Sequence, residues 1–76
     1  MSNGKWRYAI LYPGSPGLWY EGGKQQQVWE PVDKHGQWDA YIQEQLDRAG
    51  ADGWELVGME SRGGSESTKY VFKRPR

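Results

Sequence analysis

His35 is the only histidine in the chain, and it stands between Asp33 and Asp39. An imidazole flanked by carboxylates is the minimal set of groups for a metal site or a general base. Spacing identifies no further ligand, and a solvated helix start accounts for the same three residues. Glu55 is the second candidate carboxylate. It falls on the strand parity away from Trp54, where a cross-strand charge pair with Lys69, Lys73 or Arg7 accounts for it. The glycine-rich segments Gly14-Ser15-Pro16-Gly17 and Gly63-Gly64-Ser65 lack the spacing and the Gly-Lys-Ser/Thr ending of a phosphate loop, and neither precedes a helix. They read as turns. With no cysteine in the chain, disulfides, cysteine-based zinc sites and a thiol nucleophile are excluded together. The expectation is a protein that is not an enzyme, with no cofactor, no metal and no small-molecule substrate.

Binding chemistry is the remaining class. Lys69, Lys73, Arg74 and Arg76, with Lys5 and Arg7, form a basic strip beside Tyr and Trp residues, the ingredients of a single-stranded nucleic-acid platform. Three features weigh against it. Ten basic and ten acidic residues give zero formal charge, so no long-range field steers the chain to nucleic acid or anionic lipid. The aromatic residues fall mostly on the parity expected to face a helix, and charged residues at strand ends commonly protect sheet edges from aggregation. Nucleic-acid binding is therefore the alternative reading. The start of the chain has no apolar run of signal-peptide length, and nowhere do about 18 apolar residues follow one another. A cytoplasmic protein with no membrane partner is expected.

Seventy-six residues suggest one domain, spanning residues 1–76. A domain this small buries only ~60% of its unfolded surface. Five Trp, five Tyr and one Phe supply the apolar area that a short chain otherwise lacks, and self-association is the other usual remedy.

The elements follow from periodicity. Trp6 to Tyr12 alternates as a first strand, with Trp6, Tyr8, Ile10 and Tyr12 on one face and Arg7, Ala9 and Leu11 on the other. Pro13 to Gly17 ends it as a loop. Residues from about 17 to 31 read as an inserted hairpin around Gly22-Gly23, closed by Pro31. A loop over residues 22–25 would set Trp19 against Val28 and Leu18 against Trp29. Trp38, Ile42, Leu46 and Ala49, with Tyr41 alongside, make one apolar stripe, so a helix is expected over roughly residues 35 to 49, with Asp33 as N-cap, Gly50 as the left-handed residue after its last turn, and Glu44 and Arg48 paired. Gly53-Trp54-Glu55-Leu56-Val57 is apolar at both parities and reads as the central strand. A polar glycine-rich loop at residues 61–67 leads to a last strand through Tyr70, Val71 and Phe72, ended by Pro75.

These elements define an α+β fold: a small antiparallel or mixed sheet of three core strands plus an inserted β-hairpin, with one α-helix packed on one face. Trp6, Tyr8, Ile10, Trp54, Leu56, Tyr70 and Phe72 are expected under Trp38, Ile42 and Leu46. If the first and central strands pair in parallel, a right-handed crossover joins them.

Three segments, Trp6-x-Tyr8, Gly50-Ala51-Asp52-Gly53-Trp54-Glu55-Leu56-Val57 and Phe72-Lys73-Arg74-Pro75, resemble the small bacterial and phage domain of unknown function 4177. The resemblance covers about residues 5 to 12 and 36 to 75. It implies a compact α+β fold and brings no activity, cofactor or catalytic residue. Residues 13 to 32 depart from that pattern, being longer and more aromatic than a plain connection.

The face away from the helix is expected to carry Ala9, Leu11, Val57, Met59 and Val71 inside a rim of Arg7, Glu55, Lys69 and Lys73, the layout of an association surface. Trp19, Tyr20 and Trp29 of the hairpin are expected either to cover that face or to act as hot spots on it. A non-enzymatic interaction module is the resulting expectation, a homo-oligomer or the small subunit of a larger complex. On this expectation Leu11→Glu or Met59→Glu breaks the assembly and leaves the domain folded.

Overall fold

The computed structural model describes residues 5–32, 37–61 and 68–76. Five strands, β1 (Trp6–Tyr12), β2 (Gly17–Glu21), β3 (Lys24–Trp29), β4 (Glu55–Glu60) and β5 (Lys69–Pro75), form one sheet in the order β3-β2-β1-β5-β4. Every neighbouring pair is antiparallel. The described helix, α1 (Trp38–Ala51), lies between β3 and β4 in the chain, so it carries the backbone from one edge of the sheet to the other.

The α+β class stands, and the strand plan is corrected. The β2–β3 hairpin is part of the main sheet: β2 pairs along β1, with Ile10 opposite Tyr20 and Leu11 opposite Trp19. Gly22 and Gly23, at φ 63° and 79°, make a two-residue turn with Glu21 facing Lys24, because both positions need the left-handed region that glycine enters without a Cβ clash. Tyr20 faces Gln25, and a bulge beyond it shifts the register by one, so that Trp19 faces Gln27 and Leu18 faces Val28. β1 is the central strand and β4 an edge, so the described residues contain no parallel pair and no crossover between paired strands. The both-sided apolar character of Gly53 to Val57 has a local cause: Trp54 precedes the strand and turns into the core, while Leu56 and Val57 lie at the sheet's margin, 48% and 54% exposed.

Helix α1 starts at Trp38 behind an extended Gln37 that gives no side-chain cap. The expected cap Asp33 and the candidate His35 lie outside the described residues. At the other end the helix runs through Gly50. Gly53, at φ 88°, supplies the left-handed residue, and the Trp54 N–H donates back to the Ala49 carbonyl at 3.0 Å. Glu44 and Arg48 serve other partners: Glu44 accepts from the Val32 N–H at 3.0 Å, and the Arg48 guanidinium lies 4.5 Å over the Trp29 ring.

The core under α1 comprises Ala9, Leu11, Trp19, Trp29, Ala49, Trp54, Tyr70 and Phe72, with Ile42 and Leu46 packed against it. Trp19 sits at its centre, stacked on Trp29 at 4.7 Å, with Trp54 edge-on at 5.3 Å and Phe72 at 5.5 Å. This reverses the expected parity of β1. Ala9 and Leu11 point to the helix, and Trp6, Tyr8, Ile10 and Tyr12 point away. The reason is volume: four rings from β2, β3, β5 and the residue before β4 converge there, leaving the central strand room only for a methyl and an isobutyl group.

One buried polar group ties the Pro13–Gly17 loop to the helix. The Gly14 N–H donates to Gln45 Oε1 at 3.0 Å, and Gln45 Nε2 donates to the Gly14 carbonyl at 2.7 Å. Gly17 keeps this amide in place by having no side chain, since a Cβ there would lie 2.6 Å from Gln45 Oε1. Gln45→Ala strands both buried Gly14 groups and should cost about 2 to 3 kcal/mol in urea unfolding, far more than an ordinary exposed helix substitution.

Candidate association face

The side chains of β1 that point away from α1 are Trp6, Tyr8, Ile10 and Tyr12. Cross-strand register adds Tyr20, opposite Ile10, and Leu18, opposite Tyr12, from β2. On the other flank Val71 stands opposite Ile10 and Lys73 opposite Tyr8. Residues paired directly share a face, so this side of the sheet carries a band of aromatic and aliphatic groups with no second layer over it among the described residues. Tyr8 is 55% exposed. The Tyr12 and Tyr20 rings meet edge to face at 5.4 Å, and both line an open trough together with Tyr8 and Ile10. Gln26 and Arg76 also line it, and its volume is ≈ 890 Å³.

The charges on this side are of both signs. Lys69 pairs with Glu60 at 3.1 Å, and Glu55 stands opposite Lys73 in the strand register. The Lys73 ammonium lies 4.3 Å over the Trp6 ring. The rest of the expected basic strip divides between the faces. Arg7 pairs with Glu21 at 2.8 Å, and Arg74 lies 4.3 Å over Trp54 while donating to the Asp52 carbonyl at 2.8 Å. Arg76 Nε donates to the Trp6 carbonyl at 3.3 Å.

Of the residues expected on this face, Tyr20 and Val71 are there. Ala9, Leu11, Trp19 and Trp29 are not; they are buried beneath the helix. Val57 and Met59 are exposed at the β4 edge, but a bulge between Leu56 and Gly58 breaks the alternation that would aim them at the open side. Val57 is the extra residue, and Met59 faces Tyr70 on the helix side. A second register shift leaves Gln26 unpaired in β3, so both sheet edges carry a bulge. Trp6, Tyr8, Ile10 and Tyr12 escape a sequence reading because bulk alone suggests that they face the helix. The contrary signal is the clustering of Trp19, Trp29 and Trp54, too much ring area to leave outside a domain of this size.

Among the described residues no group of three or more His, Asp or Glu is placed to hold a metal. Asp39 is in the exposed first turn of α1, and its expected neighbours Asp33 and His35 lie outside the described residues. No helix among the described residues is long and apolar enough to cross a membrane. Compared with known proteins, the chain matches no family model, no curated protein and no solved structure.

Proposed function

We propose that this chain is a non-enzymatic protein-interaction module that self-associates or docks as a small subunit in a larger complex through its open sheet face. One observation carries the reading: the helix covers one side of the sheet, while the other presents Trp6, Tyr8, Ile10, Tyr12 and Tyr20 together. Trp and Tyr supply most of the energy at protein interfaces, because a large rigid ring buries much area at little entropic cost. The hairpin contributes Leu18 and Tyr20 to this face, and its two tryptophans serve the core. Kinship with the domain of unknown function 4177 belongs to the same reading and adds no activity to it.

Single-stranded nucleic-acid binding is the second reading. It gains from the outward aromatics of β1, which give bases a surface on which to stack. It loses more from the cations: Arg7, Lys69, Lys73, Arg74 and Arg76 each have a partner within the chain, and their charges are split between two faces.

The expected result separates the two. Affinity-tagged protein retains a partner, or its own untagged copy, and Tyr8→Glu loses it while keeping the native circular dichroism spectrum. A strictly monomeric mass at tens of micromolar with nothing retained overturns the proposal. Salt-sensitive binding of labelled single-stranded DNA or RNA at about 50 mM salt, lost in the same variant, supports the second reading instead.

A further inference from the structure

If the open face is an association surface, as proposed, it requires an occupant of matching size and charge, and the identity of that occupant rests on the same proposal. We infer that the occupant is a second copy of this chain, packed face to face so that β1 and β2 of one copy meet β1 and β2 of the other across a two-fold axis.

Extent is the first reason. The strands are five to seven residues long. At ~3.3 Å per residue and ~4.8 Å between strands, the sheet face measures roughly 20 by 20 Å. That flat footprint of roughly 400 Å² is about half the ~800 Å² per partner of a standard interface, so the pairing uses the whole face and is expected to be weak. A single extended peptide in the Tyr12–Tyr20 trough would leave Val71 and the exposed Val28 uncovered, whereas another sheet covers them together. Twisted sheets stack at about 10 Å with their strands nearly aligned, and the second copy supplies a surface of the same twist.

Charge is the second reason. The open face carries Lys69 and Lys73 against Glu55 and Glu60 from the β5–β4 flank, with the Lys73 ammonium reaching over Trp6 and Arg76 lining the trough beside it. Ile10, Tyr12, Leu18 and Tyr20 form a centre without charge. A two-fold pairing about that centre leaves the charges of both copies at the rim, where they stay hydrated. A two-fold arrangement also needs only one self-complementary patch.

The edges are the third reason. Strand-to-strand addition is the other route by which a small sheet finds a partner, and bulges at Gln26 in β3 and Val57 in β4 interrupt the ladder on both sides. Association through the face is the route left to this sheet.

Sedimentation equilibrium of the full chain from about 5 to 200 µM tests the inference. The mass is expected to rise with concentration towards twice the monomer value. Tyr8→Glu and Tyr20→Glu should each weaken the association by about tenfold or more, since each places a carboxylate in the apolar centre of the patch. Met59→Glu, on the edge, should leave it unchanged. Tyr8 is more than half exposed, so its variant remains informative if Tyr20→Glu fails to fold. A monomer throughout the range, or a dimer that survives Tyr8→Glu, overturns the inference. The broader interaction reading has a separate outcome: a monomeric protein that still retains a different partner, lost in Tyr8→Glu, keeps that reading and removes only the second copy.

Discussion

Leu11→Glu is expected to unfold the domain. Leu11 is 0% exposed on the central strand, opposite Trp19 on one side and Tyr70 on the other, with the helix above. The substitution loses about 2 to 3 kcal/mol of apolar burial and puts a carboxylate where no donor awaits it, at a further cost of several kcal/mol. A domain of this length has only about 4 to 11 kcal/mol to lose. Thermal melting by circular dichroism should show no cooperative transition, and the amide proton spectrum should collapse. Met59→Glu is the contrasting case. Met59 is 59% exposed at a bulged edge, and its melting point should move by no more than a few degrees. By strand pattern alone the two residues are equivalent, so a folded Leu11→Glu protein would overturn the inward orientation of Ala9 and Leu11.

Trp19→Ala has the next largest expected effect. Its ring is enclosed by Trp29, Trp54 and Phe72, and its indole N–H donates to Glu21 Oε2 at 2.8 Å. Glu21 in turn holds Arg7. Truncation leaves a cavity that three aromatic rings cannot close, and a cost of about 3 to 5 kcal/mol is expected. In a domain of this size that lowers the melting temperature by roughly 15 to 30 °C, measurable in the same thermal scan. The near-ultraviolet circular dichroism from the stacked Trp19 and Trp29 rings should vanish as well, even at temperatures where some folded protein remains. Trp19→Phe keeps part of the stack and should fall between wild type and Trp19→Ala. A near-native melting point for Trp19→Ala would mean that the hairpin is not part of the core.

The hairpin shows how far local pattern reaches. Gly22-Gly23 marks its turn plainly, yet where the pair docks depends on β2 folding back along β1 across residues 13–16, which in sequence read only as a break. That docking moves Trp19 and Trp29 from the surface to the core. The helix stripe is legible because Ile42, Leu46 and Ala49 recur at helical spacing and all three reach the core. Gln45 is not, since a glutamine within the stripe has no apolar signature, and its role depends on a loop 31 residues away.

The open face follows the same division. Alternation in Trp6 to Tyr12 establishes from sequence that one set of side chains faces one way and the other set the opposite way. It does not say which set meets the helix, because both are apolar enough to be buried. Composition, the glycine turn of the hairpin, the existence of the helix and the α+β class were determined by the sequence alone, through spacing and backbone preference acting over a few residues; the hairpin register and the glycine that ends the helix were not, and the expected loop at residues 61–67 falls largely outside the described residues. The strand order, the inward turn of Ala9 and Leu11, and the bulges that deflect Val57 and Met59 were decided only in the tertiary structure. The cause is that the ring volume of Trp19, Trp29, Trp54 and Phe72, brought together from four separate segments, leaves no room under the helix for the larger side chains of β1.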